Sequence, residues 1–157
     1  MDKLEIRSLT QDDKFAALDI VIQERVGPKT RTLRFFNKSL RQKLHNIFVA
    51  SIGDEIIGLS GWYQDKGDWA GKALGSLFPY GSDIYWVSYF AVKKEFRDKG
   101  IGTKLLNRLL KEVEQRKARE LWVYTSRARG FYEKCGFMFV IKAVIERKSH
   151  EFMKKMF

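Results

Sequence analysis

Phe90-Ala91-Val92-Lys93-Lys94-Glu95-Phe96-Arg97-Asp98-Lys99-Gly100-Ile101-Gly102-Thr103-Lys104 is the stretch on which the reading of this chain turns. A near-continuous apolar run from Asp83 to Val92 leads into it, and a strongly periodic segment from Gly102 to Lys117 leads out of it. The first reads as a buried central strand and the second as a helix. A strand, a glycine turn and a helix start aim backbone N–H groups at one point, where the helix dipole adds partial positive charge. Such a point suits a phosphate or pyrophosphate. Arg97, Lys99 and Lys104 bring full charges to the same place. A phosphate-bearing ligand is therefore expected.

Downstream, Leu105, Leu106, Leu109, Leu110 and Val113 mark the apolar face of the helix. Glu120–Thr125 reads as a strand, so Asp83–Thr125 is a strand–helix–strand crossover with parallel strands. Arg127–Cys135 reads as a short helix ended by Gly136. Phe137–Ile145 and His150–Phe157 read as closing strands joined at Arg147-Lys148-Ser149. Upstream, Leu4 and Ile6 suggest a first strand, and Thr10 caps a helix with apolar Phe15, Leu18, Val21 and Ile22. Gly27-Pro28 stops that helix. A second helix is expected over Thr32–His45, then strands at Asn46–Ile52 and Glu55–Gln64 around a Gly53-Asp54 turn. Asp65–Ser82, with four glycines and Pro79, reads as a long loop, either a functional lid or disordered. The order β-α-α-β-β-β-α-β-α-β-β predicts one α/β domain over residues 1–157. Its sheet is mixed and mostly antiparallel, with a central parallel pair flanked by helices.

Composition narrows the classes. The 157 residues are 45% hydrophobic and 14% aromatic, which suits a folded core. Cys135 is the single cysteine, so no intrachain disulfide is possible, and no Cys/His cluster proposes a metal. The N-terminal MDKLEIRSLTQDDK carries charges where a signal peptide would be apolar, and no apolar run approaches membrane-spanning length. A soluble, cytoplasmic protein is expected. The net charge of +11 is spread over the chain and reads as a solvated surface, with a phosphate site taking a few of the charges.

Two phosphate-binding motifs fail on spacing. A nucleotide triphosphate loop needs Gly-Lys-Ser/Thr, whereas Gly102 is followed by Thr103-Lys104. A dinucleotide fingerprint needs a third glycine where Leu105 stands. What remains is Arg-x-x-Gly-x-Gly at Arg97–Gly102, with a second segment at Gly130-Phe131-Tyr132-Glu133-Lys134-Cys135-Gly136-Phe137. With Val92–Gly102 and Phe131–Phe137 at this spacing and in this element order, the chain resembles the GCN5-related N-acetyltransferase (GNAT) superfamily.

That resemblance implies acetyl-CoA as acyl donor and a primary amine as acceptor, with no metal. It implies that the diphosphate sits on the amides of Asp98, Lys99, Gly100, Ile101, Gly102 and Thr103, with the Arg97 side chain assisting. The pantetheine arm would run along Phe90, Ala91 and Val92, and a backbone N–H near Phe90 or Val92 would face the oxyanion. Thr125 stands where many relatives carry Asn, so that contact to the arm is weakened, and Lys134 counts with the cofactor-binding positions. Tyr132 matches the position that protonates the departing sulfur. The base is left open. The inward strand positions are Trp86 and Ser88, neither a base at neutral pH. Ser88 could hold a water in a relay, Asp83 could be a distant acceptor, or the amine could arrive deprotonated. Cys135 reads as a structural thiol, and His45 and His150 as surface or capping residues. A competing reading is a coenzyme A- or nucleic-acid-binding module with weak catalysis, motivated by the missing base and the basic charge. No membrane partner is expected, nucleic acid is disfavoured, and the chain is taken as a monomer or homodimer.

Overall fold

A computed structural model describes residues 2–157. Its strands are β1 (Leu4–Ser8), β2 (Ile47–Ile52), β3 (Glu55–Tyr63), β4 (Ile84–Val92), β5 (Glu120–Thr125), β6 (Met138–Ile145) and β7 (Lys148–Met156). Its helices are α1 (Lys14–Gln23), α2 (Lys29–Gln42), α3 (Gly71–Leu74), α4 (Ile101–Gln115) and α5 (Arg129–Lys134). The strands form one mixed sheet in the order β1-β2-β3-β4-β5-β7-β6. β4 and β5 run parallel, as a crossover through α4 requires, and the β1–β2, β2–β3, β5–β7 and β6–β7 pairs are antiparallel. β7 lies inside β6 in the sheet. The reason is burial: Phe152 and Met153 of β7 are fully buried, whereas Met138, Phe139 and Val144 leave β6 exposed as an edge.

The chain clusters into two compact units. The first runs through Trp62 and resumes at Ser88–Lys111; the second takes Tyr63–Val87 and Glu112–Phe157. In the first unit α1 and α2 cover one face of the strands. Leu18, Ile20, Val21, Phe36, Ile47, Val49, Leu59 and Tyr89 are buried there. The other face carries α4, where Leu105, Leu106 and Leu109 are fully buried. Gly58 lets that helix approach: a Cβ there would lie 2.9 Å from the Ala91 carbonyl and 3.2 Å from Leu105 Cδ1.

Two helices differ from the periodicity reading. Phe15 and Ile22 are 64% and 43% exposed, and Ala17, Leu18, Ile20 and Val21 are buried instead. α1 carries more apolar residues than one face can hold, so tertiary packing chooses the stripe. α2 starts three residues earlier than expected, directly after Pro28, whose extended backbone and missing N–H suit a cap position. Lys43, at φ +51, ends it.

The first unit also holds a buried carboxylate. Asp13 accepts from Arg7 at 2.6 and 3.0 Å and from the Thr10 amide and hydroxyl at 2.8 Å each. Burial works against its charge, but the Arg7 and Thr10 hydrogen bonds and the Arg7 charge outweigh it and hold the carboxyl below its ordinary value. A depressed carboxyl stabilises the fold above the unfolded value of about 3.9 and loses that contribution as pH falls through the folded value. Asp13→Asn should therefore cost about 1–3 kcal/mol at pH 7. In urea unfolding, the gap between wild type and variant should close as pH drops below about 4.

The segment 65–82 is not a structureless loop. It contains α3 and a 3₁₀ turn at Gly75–Leu77. Ala70, Leu74 and Phe78 are buried in the core of the second unit, beside Ile84, Trp86, Trp122 and Phe152. Asp65 starts the segment: Oδ1 accepts from the Gly67 and Asp68 amides at 2.7 and 3.1 Å, and Oδ2 from the Ala70 amide at 3.0 Å. Apolar anchors spaced at 70, 74 and 78 supply the burial that the glycines lack.

Candidate active site

The glycine turn has the expected geometry. β4 ends at Val92, a 3₁₀ turn spans Lys94–Phe96, and α4 begins at Ile101. Asp98 and Gly100 have φ of +61° and +78°. A Cβ at Gly100 would meet no heavy atom within 4 Å, so glycine is favoured there by its backbone angle alone. The first amide to bond back is that of Lys104, to the Gly100 carbonyl at 3.1 Å. Among the described residues, none of the six amides from Asp98 to Thr103 donates a hydrogen bond. The left-handed residues turn the preceding amides toward the helix start, which concentrates donors and dipole at one place.

Arg97 is placed differently from expectation. Its Nε donates to the Val92 carbonyl at 3.0 Å, and its guanidinium pairs with Glu24 just beyond α1. The side chain thus ties the turn to α1 and β4 from beside the amide run. Lys99 lies over the Phe96 ring at 5.6 Å, and Lys104 is exposed.

On β4, Ala91 and Val92 are buried and Phe90 is half-buried. The β4–β5 register comprises three pairs, Ile84↔Glu120, Tyr85↔Leu121 and Trp86↔Trp122. Ser88 Oγ is buried and has no hydrogen-bond partner. Gly61 makes room for it, because a Cβ there would overlap that hydroxyl and lie 2.9 Å from the Asn46 carbonyl. Asp83 precedes β4, and its Oδ2 accepts from Arg119 Nε at 3.0 Å. That ion pair competes with any role as an acceptor of the substrate proton.

In the second unit, Tyr132 lies on α5 and is 4% exposed. Its ring meets Phe131 and Phe137 edge to face, with centroids 5.2 and 5.3 Å apart. Burial, with a smaller effect of Cys135, pushes its phenol far above the ordinary value, so it stays protonated throughout the neutral range. Thr125 Oγ1 accepts from the Arg127 and Ala128 amides at 3.3 and 3.0 Å and so shapes the turn into α5. The hydroxyl keeps its donor. Lys134 is exposed. Cys135 is half-buried, and burial raises its thiol, the opposite of an activated nucleophile. A cleft of about 470 Å³ also opens beside α5, but its Arg129 is already paired with Glu133 and Glu151.

An aromatic group in the same unit was not foreseen. Trp86 stacks on Phe78 at 5.9 Å and meets Trp122, Tyr124 and Phe152 at 5.4, 6.4 and 6.3 Å. Trp69, from the segment before α3, donates Nε1–H to the Tyr124 hydroxyl at 2.6 Å. His150 meets the Tyr124 ring edge to face at 5.3 Å. Period-two alternation on β7 places His150 with Phe152 and could have flagged it; Trp69 lay in an apparent loop with no such signal. His45 is exposed in the connection after α2.

The matched family decides the class. The chain matches the acetyltransferase (GNAT) domain over residues 43–138, a span that holds both quoted motifs. The chain belongs to the GNAT family. This acetyltransferase is also similar in fold to solved structures. Ard1 from Thermoplasma volcanium aligns with a TM-score of 0.77 at 16% identity, over 98% of this chain and 97% of that one. An N-acetyltransferase from Staphylococcus aureus Mu50 aligns with a TM-score of 0.76 at 16% identity, over 98% of both chains. N-acetylglutamate synthase from Neisseria gonorrhoeae, complexed with coenzyme A and L-arginine, aligns at 0.69 and 11% identity, over 99% of this chain and 34% of that one. No curated protein matches the sequence. The GNAT chain is thus an acetyl-CoA-dependent N-acetyltransferase. Among the described residues, no helix is long and apolar enough to cross a membrane, and no cluster of His, Cys, Asp and Glu could hold a metal.

Proposed function

We propose that this acetyltransferase moves the acetyl group of acetyl-CoA to a primary amine of a small molecule or protein by direct attack, with Tyr132 as general acid. The observation that carries the reading is the run of six amides from Asp98 to Thr103 at the start of α4, each with its donor uncommitted. Those donors fit a diphosphate, the part of the donor that a helix start holds best. Ala91 and Val92 would carry the arm along β4, and Thr125 would offer its remaining hydroxyl donor. Acetyl-CoA supplies an activated acyl carbon and a thiolate leaving group.

Each side chain then has a defined task. The Tyr132 phenol is kept neutral by burial and gives its proton to the departing sulfur. Ser88 Oγ, buried beside Gly61 without a hydrogen-bond partner, would bond a substrate or a relayed water. A backbone N–H near Phe90 or Val92 would face the developing oxyanion.

Calorimetry with coenzyme A and acetyl-CoA tests the donor site, and thiol release with a panel of alkylamines, polyamines and free peptide N-termini tests transfer. Binding below millimolar and release with at least one amine are expected. No heat at millimolar concentration would overturn the donor site. Heat without release across the panel would overturn the transfer step.

A further inference from the structure

The proposed chemistry still lacks a proton acceptor. Trp86 and Ser88 cannot serve at neutral pH, and Asp83 is paired with Arg119. We propose that His150 is that acceptor, in an aromatic site that it forms with Trp69 and Tyr124 and that takes a primary alkylammonium. The inference rests on the acetyl-transfer reading above.

Three observations converge. First, position: β5 ends at Thr125, which pairs with Glu151, so His150 lies one residue beyond the carboxyl end of β5. Ligands of parallel strands bind at their carboxyl ends. Second, surroundings: Trp69 and Tyr124 are half-buried against the core that holds Trp86 and Phe152, and half-buried His150 meets the Tyr124 ring. Aromatic faces of this kind attract an organic ammonium and exclude its competing water. Opposite His150 in register on β6 is Ala143, which is small and carries no charge. Third, the ring itself: Nδ1 is buried with no hydrogen-bond partner, an arrangement native proteins rarely keep without a use for it.

The protonation state agrees. Burial pushes the imidazole below its ordinary value, Lys148 adds to that shift, and Glu146 opposes it. The titratable and charged groups that face it are Tyr124 from β5, Glu146 from the β6–β7 turn and Lys148 from the start of β7. The ring is therefore neutral at pH 7 and can accept a proton. His150 takes one proton from the alkylammonium, and the freed lone pair forms the C–N bond as the C–S bond breaks. Tyr132 protonates the sulfur, and its phenolate takes the second nitrogen proton. The imidazolium proton goes to water, so the net products are the amide, coenzyme A and one proton.

The test compares His150→Gln with wild type in three measurements. Coenzyme A affinity should be unchanged. Turnover of the best alkylamine in the panel should fall about 100-fold, and the acid limb of the kcat/KM profile, which lies below pH 6.5 in wild type, should vanish. With methoxyamine, which is mostly unprotonated at neutral pH, the loss should shrink to within about fivefold. A His45→Gln background leaves one imidazole to titrate by NMR, and its midpoint must coincide with the kinetic limb even if the His150 variant folds poorly. Unchanged turnover, equal losses with both nucleophiles, or a titration that misses the kinetic limb would overturn the inference and leave acetyl transfer standing. Absence of coenzyme A binding in wild type would instead overturn the donor site, and this inference with it.

Discussion

Tyr132→Phe is expected to lower turnover by about 100- to 1,000-fold while leaving coenzyme A affinity within about twofold, the range a positioned general acid supplies. Phe keeps the ring between Phe131 and Phe137, whose edges it meets at 5.2 and 5.3 Å, so packing is conserved. The stability change should stay near 1 kcal/mol, the net worth of one hydroxyl hydrogen bond. The wild-type phenol is held far above its ordinary value, so the rate should show no alkaline limb from Tyr132 up to about pH 10. The measurement is thiol release at saturating acetyl-CoA, with calorimetry on the same samples. Equal rates in both proteins would show that this residue is a core tyrosine and nothing more. A loss in coenzyme A affinity together with rate would assign it to binding rather than proton transfer.

Gly100→Val should weaken coenzyme A binding by at least about 30-fold, close to 2 kcal/mol. The cause is conformational. Gly100 sits at φ +78°, and a β-branched residue is strongly disfavoured there. No atom lies near its missing Cβ, so a clash is not the mechanism. The turn would relax to negative φ and swing the amides on either side of it away from the start of α4. Each amide bond to a charged phosphate lost in this way removes about 1.5–3 kcal/mol. Gly71→Ala is the matched control: its φ is ordinary, and its Cβ would meet Phe78 at 3.7 Å, a normal contact. Its coenzyme A affinity should equal that of wild type. If Gly100→Val also bound normally, the cradle would not be where the diphosphate is held.

Much of this protein was written in local sequence. The order of elements, the parallel β4–β5 pair and the glycine turn follow from periodicity, glycine placement and the length of the crossover, all of which act within a few residues. Glu120–Thr125 is a strand with the expected bounds. The family was legible for the same reason, since its two motifs are contiguous segments. Long-range packing decided the rest. Which residues of α1 face inward depended on the strands beneath them, so Phe15 and Ile22 turned out exposed. Segment 65–82 looked like a loop because its anchors Ala70, Leu74 and Phe78 gain their burial from residues far along the chain. The partner of Arg97, Glu24, lies seventy-three residues away in the chain, so local sequence could not name it. His150 carries no motif; its meaning comes from Tyr124 on β5 and, through it, Trp69. Backbone geometry is set by near neighbours, whereas the partner of a side chain is set by whatever the fold brings next to it. The glycine turn therefore lay in the sequence, and the aromatic surroundings of His150 emerged only when the strands were assembled.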